Sequence, residues 1–226
     1  MSSPIARTAR SKTSALLIDG HQKLSHSRRT EILAQLLGAT ISDLAESQRC
    51  LDIGCGDMTI AEMIAKVVPI SRWQCLDLYP LPVELTGHER WQKYLQFDGL
   101  KLPFADQSID VALFCDVLHH MSKEVQERML TEAARVAKHV VIKDHFEYGF
   151  WSRNWLRAMD FMGNWAYGVS VPKRYFNRTE FLMMNAQAGL KTSSIQIGID
   201  LYRHIPIARY LLRKEWQFIA VMSRKD

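Results

Sequence analysis

Two apolar runs in this chain end in groups that can move protons. SIDVALFCDVLHH closes on His119 and His120, and HVVIKDHF carries Asp144 beside His145. Imidazole titrates near neutral pH and a nearby carboxylate sets its tautomer, so His119, His120, His145 and Asp144 are the candidates for general-base chemistry. Asp144 is placed to orient His145 or, across a cleft, His120. A third run, LDIGCGD, ends in a tight turn in which Gly54, Cys55 and Gly56 are flanked by Asp52 and Asp57.

A glycine-rich turn after a strand commonly cradles phosphate, but this one is unsuited to it. Thr59 stands where a dinucleotide fingerprint has its third glycine, and no P-loop lysine follows. Like charges about 4 Å apart repel by roughly 1 kcal/mol even in water and more in a cleft. The two acids therefore favour a cationic ligand without phosphates, and S-adenosylmethionine (SAM), with its ammonium and sulfonium, is such a ligand. Asp77, 25 residues beyond Asp52, ends the next apolar run, where a carboxylate can accept from both ribose hydroxyls.

The elements that must position these groups follow from periodicity. RCLDIG, WQCLDLYP, KYLQFDG, SIDVALFCD, HVVIKDHF, KTSSIQIGI and KEWQFIAVMSR read as strands. MTIAEMIAKVV, SKEVQERMLTEAARVAK and RTEFLMMNAQAGL read as helices, and SHSRRTEILAQLLG as an N-terminal helix opening at Ser27 and stopping at Gly38. The alternation predicts an α/β, Rossmann-like fold: a mostly parallel seven-stranded sheet with helices on both faces and its site at the strands' carboxyl ends.

With that order in place, LDIGCGD, CLDLY and FDGLKLPFADQSIDVALFCDVLHHM resemble the class I SAM-dependent methyltransferases, in their small-molecule and quinone methyltransferase branch (the methyltransferase type 11 domain). The resemblance covers about residues 50–145. It implies that Gly54, Cys55 and Gly56 approach the methionine moiety, with Asp52 serving the ammonium. It also implies that Asp77 holds the ribose, Leu78 lies against the adenine, Asp98 accepts from its amino group, the Gly99 amide donates to a ring nitrogen and the backbone at Cys115 borders the methionine end. SAM would be the cofactor and S-adenosylhomocysteine the product; no residue is assigned to a metal.

Residues 146–177, FEYGFWSRNWLRAMDFMGNWAYGVSVPKRYFN, interrupt the alternation and hold three of the six tryptophans. Trp151, Trp155, Leu156, Met159 and Met162 are expected on one side of a helix over 150–162, broken by Gly163, Asn164 and Gly168. As a lid over an apolar or aromatic acceptor, the segment supplies Trp151, Trp155, Met159, Asn164 and Tyr167 as substrate contacts. It could equally pack as core, or rest on a membrane interface with Arg153, Arg157, Lys173 and Arg174.

The expected organisation is a basic arm and helix over 1–45 and a methyltransferase domain over 46–226. Residues 1–30 carry +5 and the remainder is neutral, which disfavours a broad nucleic-acid surface. The four cysteines lack zinc-knuckle or C-x-x-C spacing and read as reduced thiols. There is no apolar span and no secretory pattern in the first residues, so a cytoplasmic protein, monomer or homodimer, is expected. His21, Lys23 and Leu24 are candidates for a second lid. The functional expectation is methyl transfer to a small, partly apolar molecule at oxygen, with a strand-end histidine as base. Carbon or nitrogen methylation of a quinone, lipid or amine, and a non-catalytic SAM-binding module, are the alternatives.

Overall fold

The computed structural model describes residues 27–44, 48–80, 89–164, 171–204 and 212–225. One seven-stranded sheet runs in the order β3-β2-β1-β4-β5-β7-β6. β1 (Gln48–Ile53), β2 (Ser71–Asp77), β3 (Tyr94–Gln96), β4 (Ile109–Cys115) and β5 (Ala137–His145) are mutually parallel. β7 (Gln217–Arg224) is antiparallel and inserts between β5 and β6 (Leu190–Ile197). All seven expected strands are present. Chain order reverses at β1, which pairs with both β2 and β4, so their carboxyl ends open a crevice.

β4 and β5 read as near-continuous apolar runs because both faces are covered. Ala112, Phe114, Val140 and Ile142 pack on one side with α3 (Lys123–Val136) and α5 (Arg178–Gln187). Val111, Leu113 and Val141 pack on the other with α1 (Ser27–Ser42) and α2 (Thr59–Val67). α1 thus belongs to the sheet's own core, through Ile32, Leu33, Leu37 and Ile41. It does not stop at Gly38. A side chain there would sit 3.1 Å from Val67 and 3.3 Å from Val68, so glycine serves the close approach of α1 to α2 rather than a helix end.

α4 (Phe150–Asn164) follows β5 as the sequence predicts, but the expected apolar stripe is split. Leu156 is buried against Tyr175 and Trp216, whereas Trp151 is 76% exposed and Trp155 38%. The helical period explains it: Trp151 and Leu156 are five residues apart, about 140° around the axis. Among the described residues no helix is long and apolar enough to cross a membrane.

Candidate active site

The turn after β1 is built from its backbone outward. Gly54 has φ 77°, and a Cβ there would lie 2.4 Å from Val117, so no other residue fits. The Gly54 and Cys55 amides donate to the Leu76 carbonyl at 2.8 and 3.0 Å, clamping the turn to β2. Gly56 faces open space. Its amide donates to Asp77 Oδ2 at 2.8 Å, while the Tyr79 amide approaches Asp77 Oδ1 at 3.3 Å. Asp77 therefore secures the turn as well as ending β2, a double duty that the spacing of the two acids did not reveal.

Asp52 lies beneath this turn, 2% exposed and level with Cys75 and Leu113 on the neighbouring strands. No cation among the described residues pairs with it. Burial, with Asp77 and Asp57 adding their charges, pushes its carboxyl up to about 7. Leu78 is half exposed beside Gly99, whose φ of 73° and missing Cβ leave room for the Leu78 side chain. Asp98 is exposed, and its Oδ1 accepts from the Leu100 and Lys101 amides at 2.8 and 3.3 Å. These residues fit SAM. The buried acid lacks the cation that an ammonium would provide, the turn is open above Gly56, and an apolar ledge lies where an adenine would rest. Cys55 is buried, and hydrogen bonding to Cys75 together with burial pushes its thiol far up, so it is not a nucleophile. Burial does the same to Cys115.

At the ends of β4 and β5 the structure gathers a network of charged groups. His119 Nδ1 is 2.6 Å from Asp144 Oδ1, and its Nε2 is 3.3 Å from Asp160 Oδ2 on α4. The Tyr175 hydroxyl donates to the same Asp160 oxygen. Burial opposes a charge on His119, but Asp144 and then Asp160 outweigh it and raise the imidazole to about 10. Asp144 thus engages His119 most closely, with His145 Nδ1 3.5 Å from the same oxygen. To His145 it offers Oδ1 as acceptor for the backbone amide at 2.7 Å. His120 is half-buried, its ring 4.1 Å from that of His119 between centroids.

Asp116 completes the network. The Lys143 ammonium donates to Asp116 Oδ1 at 2.5 Å and Arg29 of α1 to Asp116 Oδ2 at 2.8 Å. Burial opposes that charge, but Lys143 and Arg29 hold the carboxyl well below the usual carboxylate range. His145 Nδ1 lies 3.4 Å from Asp116 Oδ1 and 3.5 Å from Asp144 Oδ1. Burial and then Lys143 lower its pKa, so at neutral pH it is uncharged. Neither carboxylate meets Nδ1 in hydrogen-bonding geometry among the described residues.

Asp116, Lys143, Arg29, Asp160 and Tyr175 were not among the sequence candidates. A signal existed for two of them, since Asp116 and Lys143 are charges inside apolar runs, where an unpaired charge is not tolerated. Of the expected substrate contacts, Met159 is half-buried on α4, while Trp151 and Trp155 lie on its outer arc. The Asn164 side chain and Tyr167 lie outside the described residues, as do His21, Lys23 and Leu24.

Comparison with known proteins agrees with this fold. Residues 51–140 match the methyltransferase domain family. No curated protein matches the sequence. Among solved structures, the chain resembles a methyltransferase from Haloferax volcanii in complex with the Trm112 methyltransferase activator, with TM-score 0.67 and 18% identity over 97% of this chain and 100% of that one. It also resembles the mitomycin 7-O-methyltransferase, with TM-score 0.60 and 18% identity over 94% of this chain and 57% of that one. A third likeness is to the Burkholderia thailandensis 1,6-didemethyltoxoflavin-N1-methyltransferase with bound 1,6-didemethyltoxoflavin and S-adenosylhomocysteine, with TM-score 0.60 and 15% identity over 100% and 94%. At these identities the likenesses establish the fold.

Proposed function

We infer that this chain, a class I SAM-dependent methyltransferase by its fold and by the domain over residues 51–140, transfers the methyl group to oxygen of a small, partly apolar acceptor. The observation that carries the reading is the juxtaposition of two sites on adjacent strands. A buried carboxylate without a cation, Asp52, lies under the turn after β1, and a buried acid–histidine network closes β4 and β5. SAM, when bound, supplies an electrophilic methyl on a sulfonium. The chain's own residues orient the acceptor and take its proton. His145, buried and neutral, is the base, a role worth about 10²–10⁴-fold in rate. His119, charged and locked between Asp144 and Asp160, positions α4 over the crevice and lends positive charge to an acceptor that is losing its proton.

Calorimetry with SAM and S-adenosylhomocysteine, followed by methyl release over phenols, quinones, amines and lipids, tests this reading. Binding with turnover on hydroxyl acceptors, and a kcat loss of at least about 100-fold in His145→Asn at unchanged SAM affinity, is the expected result. Turnover only on amines, or an unaffected His145→Asn enzyme, removes the oxygen assignment or the base. SAM binding without turnover favours a regulatory module.

The outer arc of α4 favours a second reading of the acceptor. Phe150 is 68% exposed, Trp151 76% and Phe161 55%, with Arg157 beside them, a composition suited to a lipid interface and a lipid-like acceptor. Failure to sediment with anionic vesicles would remove it.

A further inference from the structure

We propose that His119, His120 and Asp160 form a site for a divalent transition-metal ion of the zinc type, at the mouth of the acceptor crevice. Their ligand atoms lie within 4.8 Å of one another. The decisive detail is His119 Nε2. It is buried and makes no hydrogen bond of acceptable geometry among the described residues, yet it lies 3.3 Å from Asp160 Oδ2. Two ligands of one tetrahedral ion with bonds of about 2.0–2.1 Å stand about 3.3 Å apart. The spacing is that of two ligands of one shared ion.

The surroundings are those of a metal site. A ligating histidine usually gives its other ring nitrogen to a carboxylate, which fixes the ring and raises its basicity. His119 Nδ1 does so with Asp144 at 2.6 Å. Asp160 is likewise oriented by the Tyr175 hydroxyl. Charge points the same way. Asp116 is matched by Lys143 and Arg29, whereas Asp144 and Asp160 share His119. With His119 protonated that trio carries −1; with a neutral His119 and a divalent ion it is neutral. Two imidazoles and one carboxylate leave a fourth position free, the pattern of zinc sites that accept a substrate oxygen. His120 is half-buried. Taken with the methyl-transfer reading, on which this last step rests, the ion would take the place of the His119 proton as the positive charge beside the acceptor, and an acceptor hydroxyl at the fourth position would be acidified and would give its proton to His145.

The test uses the full chain stripped with a chelator and titrated with Co²⁺, whose visible absorption reports coordination, and with Zn²⁺ by calorimetry. One ion per chain is expected, with affinity falling at least about tenfold in His120→Ala and in Asp160→Asn and unchanged in His139→Ala, a histidine at the far end of β5. His120→Ala, at a half-buried position, keeps the test valid should Asp160→Asn fail to fold. Absence of a Co²⁺ spectrum at about 100 μM metal, or equal binding by wild type and both variants, overturns the proposal and leaves His119 as an imidazolium between two acids. SAM titrations in parallel separate the two readings. SAM binding without metal binding defeats only the metal site, and metal binding without SAM binding defeats only the methyltransferase reading.

Discussion

Asp52→Asn should stabilise the ligand-free fold and weaken cofactor binding in the same protein. Asp52 is 2% exposed, and its carboxyl titrates at about 7 in the fold against 3.8 in the unfolded chain, because burial and the charges of Asp77 and Asp57 oppose ionisation. At about 1.4 kcal/mol for each factor of ten in proton affinity, holding Asp52 ionised at pH 8 costs roughly 4 kcal/mol. The sign follows from linkage. The folded chain binds this proton more tightly, so the group's contribution is fully present below pH 3.8 and is lost as pH rises through about 7. Asparagine keeps the shape and has no such loss. Urea unfolding at pH 5 and pH 8 should therefore show a wild type that weakens across the interval and a variant that does not, the variant being several kcal/mol more stable at pH 8. S-adenosylhomocysteine, with its ammonium, should narrow the gap without closing it. At about 100 Kd it stabilises wild type by about 2.7 kcal/mol, and the variant should gain less than about 1.4, a Kd at least tenfold weaker. A variant no more stable than wild type at pH 8, or one that gains as much from the ligand, would refute the assignment of Asp52 to a cationic ligand group.

Asp77→Ala should weaken SAM binding by about 1–3 kcal/mol in calorimetry and also lower the melting temperature, because Asp77 accepts from the Gly56 amide at 2.8 Å; a loss confined to binding would show that the turn does not depend on it. Gly99→Ala forces a Cβ to within 2.7 Å of Leu78 Cδ2 at a φ of 73°, so it should cost about 1–3 kcal/mol of stability and reduce SAM affinity, read by urea titration and calorimetry. Leu156→Ala, at a buried position of α4, should cost about 2–5 kcal/mol, while Trp151→Ala, three-quarters exposed, should stay within about 0.5 kcal/mol of wild type. Equal effects in that pair would mean that the outer arc of α4 is covered in solution.

What was legible in the sequence divides along a physical line. The strands and the turn after β1 are local objects. An apolar run of strand length reports burial on both faces, and paired glycines flanked by acids report both a turn and the charge it must meet. Those features placed Asp52, Gly54, Gly56 and Asp77 together, and the structure joins them by hydrogen bonds that cross only from β1 to its neighbour β2. The network at the ends of β4 and β5 is not local. His119 meets Asp144 across 25 residues and Asp160 across 41, and Arg29 reaches Asp116 across 87. Pairing register decides such meetings. Asp144 and His145 are adjacent in sequence, so their side chains leave opposite faces of β5, which is why Asp144 turns to His119 while His145 lies between Asp116 and Asp144 at the longer distances. The lid was misjudged for a related reason. A stripe drawn from residues five apart spans about 140° of a helix, and the face that mattered carries Asp160, one acid among aromatic neighbours. Such a charge lies within an otherwise apolar pattern because a partner holds it, and the identity of that partner becomes visible only in the fold.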